Sequence, residues 1–236
     1  MGLHCGFLAA PVDWPRLRTE FVVGFGPLDE AGTISAEEWL ALPPRADGID
    51  VAVTKTATYV GDPRMVFTIW PDWVVRASKD LDCLLASGGA ETVSGTYWLI
   101  VADRGEIKRL HWNVLATTTQ PFDLGKRLST EEAHPLEDPD GNGVLAAFAS
   151  LGFDEKVLQN PSTAQRFLSN DAKFPEEGPF GQQITEHQAR YKRAGSEDWT
   201  KNIDVVKRGD GGFDLRAQPP SPSRKKPFLR RWLGRG

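Results

Sequence analysis

The sequence predicts an α+β protein: an antiparallel sheet with two or more helices packed on one face. Three observations lead there. Strand-like and helix-like segments alternate through the first 115 residues, two turn signals bracket apolar runs as hairpins do, and the helical segments carry single apolar stripes. The order strand, helix, strand, strand, helix, strand, strand is, without its last strand, that of a ferredoxin-like unit, so a ferredoxin-like sheet with an extra strand is one arrangement that the order allows.

Leu3 to Ala9 reads as a short strand, apolar on both faces and therefore central. Asp13 can cap a helix reaching about Val23, with Pro15 tolerated in its first turn, and Gly24, Gly26 and Pro27 stop it. Ser35-Ala36-Glu37-Glu38 is a capping box leading into Trp39, Leu40 and Leu42, ended by Pro43-Pro44. Val51 to Val60 and Met65 to Trp70 flank Gly61-Asp62-Pro63-Arg64, a first hairpin. Asp72 is a good N-cap for a helix reaching about Ala86, because Trp73, Ala77, Leu81, Leu84 and Leu85 recur at steps of three and four. Gly88-Gly89 closes it. Val93 to Ala102 and Ile107 to Val114 flank Asp103-Arg104-Gly105-Glu106, a second hairpin across which Trp98 and Trp112 can stack. On its second strand Lys108, Leu110, Trp112 and Val114 look like the more buried face, and Ile107, Arg109, His111 and Asn113 the other.

A helix from about Gly143 to Leu151 follows, with Gly152 placed for a left-handed cap and Phe153 able to pack back on Phe148. Residues 1–155 are therefore read as the core domain. Residues 156–215, poorer in apolar residues and richer in turn formers, read as a helical and irregular extension packed on that core. Residues 216–236 open with a Pro/Ser linker and end in a basic amphipathic tail.

Charge divides along the same line. The chain has 28 Lys+Arg and 32 Asp+Glu, a net of −4. Seven of the basic residues and no acid lie from Arg216 onward, which leaves 21 basic residues against 32 acids before it, a net of −11. An acidic body repels nucleic acid and anionic lipid, so any such binding falls to the tail. Two cysteines cannot make a disulfide framework, and no apolar run approaches the roughly 20 residues that span a bilayer; a cytoplasmic protein is the expectation.

Two local patterns are candidate binding sites. In the tail, Phe228, Leu229, Trp232 and Leu233 share one face if the segment is helical, among Lys225, Lys226, Arg230 and Arg231. Basic and aromatic residues on a flexible linker suit an acidic protein groove or an anionic membrane surface. The second pattern, Asp138-Pro139-Asp140-Gly141-Asn142-Gly143-Val144-Leu145, resembles the first eight positions of an EF-hand or dockerin-type loop, which implies Asp138, Asp140 and Asn142 as calcium ligands. Ala149 stands where the bidentate acid should be, and a polar turn capping the next helix accounts for the same residues. No other cofactor is indicated.

Catalytic signatures are absent: no G-x-S-x-G, no H-E-x-x-H, no Walker loop and no paired C-x-x-C. Eight tryptophans are many for this length; most read as core, and Trp70 and Trp73 around Pro71 are the place for an aromatic ligand patch. In make-up alone, with no motif to carry it, the chain resembles the acidic, Trp-rich immunity proteins that neutralise bacterial toxins. The function expected is a non-enzymatic soluble binding protein that engages another macromolecule, a protein before anything else. The alternatives are an enzyme of unrecognised family, with Glu91, His111 and Asn113 converging at the sheet, and a peripheral membrane protein held by the tail.

Overall fold

The computed structural model describes residues 4–41, 47–92, 94–138, 140–169 and 172–193, together with the backbone of 203–207 and 213–217. The chain divides into two compact units, Met1–Arg193 and Ala194–Gly236. In the second, β10 (Ile203–Lys207) and β11 (Phe213–Ala217) pair antiparallel. The tail residues Lys225, Lys226, Phe228, Leu229, Arg230, Arg231, Trp232 and Leu233 lie outside the described residues. Among the described residues, no helix is long and apolar enough to cross a membrane.

The first unit is built on one nine-stranded antiparallel sheet. Its strands in chain order are β1 (His4–Ala10), β2 (Asp29–Ile34), β3 (Asp47–Val53), β4 (Thr58–Asp62), β5 (Leu84–Glu91), β6 (Thr96–Asp103), β7 (Glu106–Val114), β8 (Phe122–Gly125) and β9 (Ala164–Ser169). In space they run β2-β9-β3-β4-β1-β5-β6-β7-β8. Helix α1 (Trp14–Phe25) follows β1, and α2 (Pro71–Asp80) joins β4 to β5. Helices α3 (Asn142–Ser150), α4 (Glu155–Gln159) and α5 (Pro179–Arg190) come from the second half.

Helices cover both faces of the sheet, not one. Alternate strand residues enter two separate apolar clusters: Leu8, Val60, Leu85, Trp98 and Ile100 pack under α1, α2 and α5, whereas Phe7, Tyr59, Ala86, Leu99 and Val101 pack under α3 and α4. Phe21 and Phe25 of α1 stand 4.9 and 5.0 Å from the Trp73 ring of α2, and Phe25 meets Phe67 edge-on at 5.1 Å. Each such buried ring contributes about 1.5–3 kcal/mol. The second layer uses Val144, Leu145 and Phe148 of α3 with Leu158 of α4.

Where the signals were local, the elements fall as expected. The Asp13 carboxylate accepts from the Arg16 N–H, and Gly26 at φ +92 follows α1. Arg104 and Gly105 both take positive φ, the geometry of a two-residue hairpin turn, and Trp98 lies opposite Trp112 with centroids 6.2 Å apart. Phe153 donates its N–H to Phe148 O beyond Gly152 at φ +90, closing α3 as anticipated.

Three expectations are corrected. Met65 to Trp70 is not a strand. The partner of β3 is β4, turned through Thr54–Ala57, where Thr54 Oγ1 accepts from the Thr56 and Ala57 N–H groups. The helix after Trp70 stops at Asp80: Asp82 takes φ +53, and Leu84 and Leu85 belong to β5. Gly88-Gly89 lies inside that strand, where a Cβ at Gly89 would meet Cys5 O and, at 2.5 Å, the Trp98 ring, so Gly89 makes room for a tryptophan and neither glycine ends a helix. Finally, the stretch read as helices and loops over 156–215 supplies β9, seated between β2 and β3.

Strand β9 is fixed there by a buried ion pair. Arg166 donates Nε and Nη2 to the two oxygens of Asp50 at 2.7 and 2.9 Å, and Nη2 also reaches Glu38 O. Asp50 accepts a further bond from the Leu40 N–H. Removing one partner strands the other charge in the core. Asp50→Ala should lose about 3–5 kcal/mol in urea unfolding, while Asp50→Leu combined with Arg166→Met should stay within about 1–2 kcal/mol of the parent. A double variant as unstable as the single one contradicts this account.

Candidate functional site

A single buried carboxylate organises the route from β4 to α2. Asp62 is wholly buried and accepts from the N–H groups of Val66, Phe67 and Thr68 at 3.2, 2.7 and 2.9 Å, and from the Thr68 hydroxyl at 2.9 Å. Burial pushes its pKa up, against those four hydrogen bonds. The far side of the loop is tied to the sheet: Thr68 O accepts from the Ser87 hydroxyl and from Trp98 Nε1. This held loop delivers Trp70 to the start of α2, where Pro71 occupies the first turn.

Between the start of α2, helix α5 and residues 175–177 lies a cleft of about 440 Å³. Three indoles line it: Trp70, Trp73 and Trp112. Two are pinned by their N–H groups, Trp70 to Val66 O at 2.7 Å and Trp73 to Glu20 O at 3.2 Å. Trp70 also stacks on Phe174, 5.8 Å away at 23°. Trp112 Nε1 is buried without an acceptor among the described residues. The lining adds the carboxylates of Asp72, Glu176 and Glu177 and the polar Thr185 and Gln188; among the described residues it contains no Lys, Arg or His.

Asp72 does not cap its own helix. Its oxygens accept from the Phe180 and Gly181 N–H groups at 3.1 and 2.9 Å, so it caps α5 from across the cleft. The approach depends on Gly178, since a Cβ there would lie 2.5 Å from Asp72 Cγ. Glu177 accepts from the Thr185 hydroxyl at 2.7 Å. Glu176 forms no hydrogen bond or ion pair with the described residues.

A second polar constellation lies on the other face of the sheet. The β7 side chains expected to be the less buried set are in fact enclosed: Arg109, His111 and Asn113 are 1%, 3% and 5% exposed. Arg109 donates Nε and Nη2 to the two Glu131 oxygens, both at 2.8 Å, and Nη2 also meets Asp123 at 2.6 Å. His111 Nδ1 lies 3.0 Å from Asp123 Oδ1; its Nε2 is 3.1 Å from Glu137 Oε1, close enough to pair but not aligned for a hydrogen bond. Asn113 Nδ2 donates to Glu137. Burial opposes protonation of His111, but Asp123 and Glu137 outweigh it and raise its pKa. The imidazolium in turn holds Glu137 down to about 2 and Asp123 lower still, with Arg109 helping at Asp123. A histidine held charged between two carboxylates is a clamp on β8 and residues 131–137, not a general base.

The convergence expected of Glu91, His111 and Asn113 is half met. Asn113 and His111 share Glu137, but Glu91 pairs with Thr96 in register, on the face that carries Trp98, opposite theirs. Glu91 instead bonds His4 and the Ser94 N–H. Cys5 lies on β1, three strands from His111, and burial, with the Asp62 charge adding to it, pushes its thiol up to about 12. In the calcium-like loop, Asp138 accepts from the Asp140 N–H at 2.8 Å and from Asn142 Nδ2 at 3.5 Å, while Gly141 at φ +76 starts α3: a self-bonded turn leading into a helix. No group of three or more His, Cys, Asp or Glu placed to hold a metal occurs among the described residues.

Two outcomes follow from these geometries. Asp62→Ala leaves the Phe67 and Thr68 N–H groups buried without acceptors and should cost about 3 kcal/mol, against about 1 kcal/mol for Asp62→Asn, which keeps an accepting oxygen; equal losses in chemical denaturation would contradict the acceptor role. For the clamp, the His111 contribution is complete below about pH 6.5, its unfolded value, and is lost as pH rises through its raised folded value. The Glu137 and Asp123 contributions are present above about pH 4.3 and disappear on acidification. The Tm difference between the parent and His111→Gln should therefore be greatest between about pH 4.5 and 6.5 and narrow above it. A difference that widens with rising pH sinks the assignment.

No protein-family model, curated protein or solved structure matches the chain.

Proposed function

We propose that this chain is a binding protein whose first unit receives a segment of another protein in the tryptophan cleft. The observation that carries the reading is the cleft's construction. Trp70 has its N–H bonded within the protein, the buried Trp73 backs the cleft from the core, and the loop that presents Trp70 is held by a buried carboxylate, so the aromatic surface exists before any ligand arrives. Indoles in such a setting carry a disproportionate share of binding energy at protein interfaces. The cleft's volume falls within the range of ordinary ligand sites, about 300–1,000 Å³. The net of −11 before Arg216 adds selectivity by charge.

A finer description of the fold belongs with this reading. We read the run β3-β4-β1-β5 as a ferredoxin-like unit, a reading supported by its strand order and by α1 leaving β1 and α2 joining β4 to β5 on the same face. On that view β2 and β9 extend it on one side and β6, β7 and β8 on the other, and the cleft forms where the extension carrying Trp112 meets α2.

The test is selection of peptides from a displayed library on the full chain, followed by affinity measurement on variants. Trp70→Ala should weaken the selected peptides by about 2 kcal/mol or more, roughly 30-fold. Leu115→Ala, an exposed apolar position outside the cleft lining, should leave them unchanged. Equal affinity for the parent and Trp70→Ala rules the cleft out.

A further inference from the structure

Resting on that reading, we infer that the occupant of the cleft is cationic: a lysine or arginine side chain of a basic partner segment, its stem against the indoles and its charged head at Glu176. The charge in the lining is of one sign. Asp72, Glu176 and Glu177 contribute three carboxylates, and no Lys, Arg or His is in the lining among the described residues. They are not equivalent. The Asp72 oxygens are held by the Phe180 and Gly181 N–H groups, and Glu177 is held by Thr185. Glu176 alone of the three makes no bond to a described residue.

The start of α5 could by itself have argued for an anion, because a helix N-terminus presents free N–H groups and a positive dipole end. Asp72 already fills that position, so the cleft has no donor cluster left for phosphate or carboxylate. What it does offer a ligand is aromatic surface beside an unpaired carboxylate. An alkyl stem ending in an ammonium or guanidinium group satisfies both at once: the stem covers apolar surface, the charge interacts with an indole face, and the head meets the carboxylate. The acidic body raises the local concentration of such a segment before contact.

The probes are two acetylated, amidated hexapeptides of equal length, one of alternating lysine and glycine and one of alternating glutamine and glycine. Binding to the full chain is followed by calorimetry at low and at physiological salt. The lysine peptide should bind at least about 10-fold more tightly than the glutamine peptide, with the gap narrowing as salt rises. Glu176→Gln should remove most of that gap, and Trp70→Ala should weaken the lysine peptide by a similar factor. Glu155→Gln, which removes an equal charge from the first turn of α4 under the opposite face of the sheet, should change affinity less than two-fold.

Equal losses in Glu176→Gln and Glu155→Gln would mean diffuse attraction to an acidic body and overturn the inference. A glutamine peptide that binds as well as the lysine one, and is lost in Trp70→Ala, would overturn the cationic occupant while leaving the cleft as a binding site. Binding of neither peptide would also overturn the cationic occupant; the library selection on the parent and Trp70→Ala decides the cleft separately.

Discussion

Asp62 is the constraint on which the tryptophan cleft depends. It sits at the end of β4 in an environment that disfavours its charge, and no basic side chain among the described residues answers it. What it has is a ring of donors from the next six residues. That exchange, a costly burial against the ordering of a loop, explains why 63–70 is irregular yet well defined. Phe67 is thrown into the aromatic cluster of α1 and α2, Thr68 faces the sheet, and Trp70 arrives at the helix start. Each of these positions is set by the one before it.

The molecule handles its buried charge in three ways, and they differ in purpose. Asp50 with Arg166 is a closed bidentate pair that locates one strand. Arg109 and His111 with Asp123, Glu131 and Glu137 form an open chain, two cations shared among three acids, that holds β8 and the residues after it to β7. Asp62 has no ionic partner among the described residues and works through three backbone N–H donors and the Thr68 hydroxyl. The open chain contains a histidine, whose pKa the flanking Asp123 and Glu137 raise, so this part of the fold is tied to the protonation of an imidazole.

Much of the fold was legible where the deciding interactions are a few residues long. Asp13 before α1, Arg104-Gly105 between β6 and β7, and Gly152 after α3 each announce themselves because cap and turn chemistry is local. The boundary between α2 and β5 was not, since Leu84 and Leu85 continue the helical spacing of Trp73, Ala77 and Leu81. Only Asp82 in a left-handed conformation breaks it. Strand β9 was hidden because its identity comes from Asp50, 116 residues earlier. The aromatic half of the cleft was visible around Pro71 as Trp70 and Trp73. Its acidic half was not, because Glu176 and Glu177 reach it through α5, whose seating depends on Asp72. The clamp at His111 was misread for a related reason: a polar alternation on a strand looks like a solvent face when the acids that cover it, Asp123, Glu131 and Glu137, come from the turn-rich stretch that follows.

The two outermost strands bear on how such a molecule meets others. β2 is mostly exposed, begins with Asp29 and Glu30, and its pairing slips at Gly32, which takes φ +115. β8 is four residues long and ends at Gly125 with φ +82. An acidic, bulged margin on one side and a truncated one on the other are poor templates for an added strand. Both margins disfavour extension of the sheet by foreign backbone, and with it self-association or peptide capture by strand addition. On the reading proposed above, recognition falls to side chains in a shaped cavity, where sequence can be discriminated.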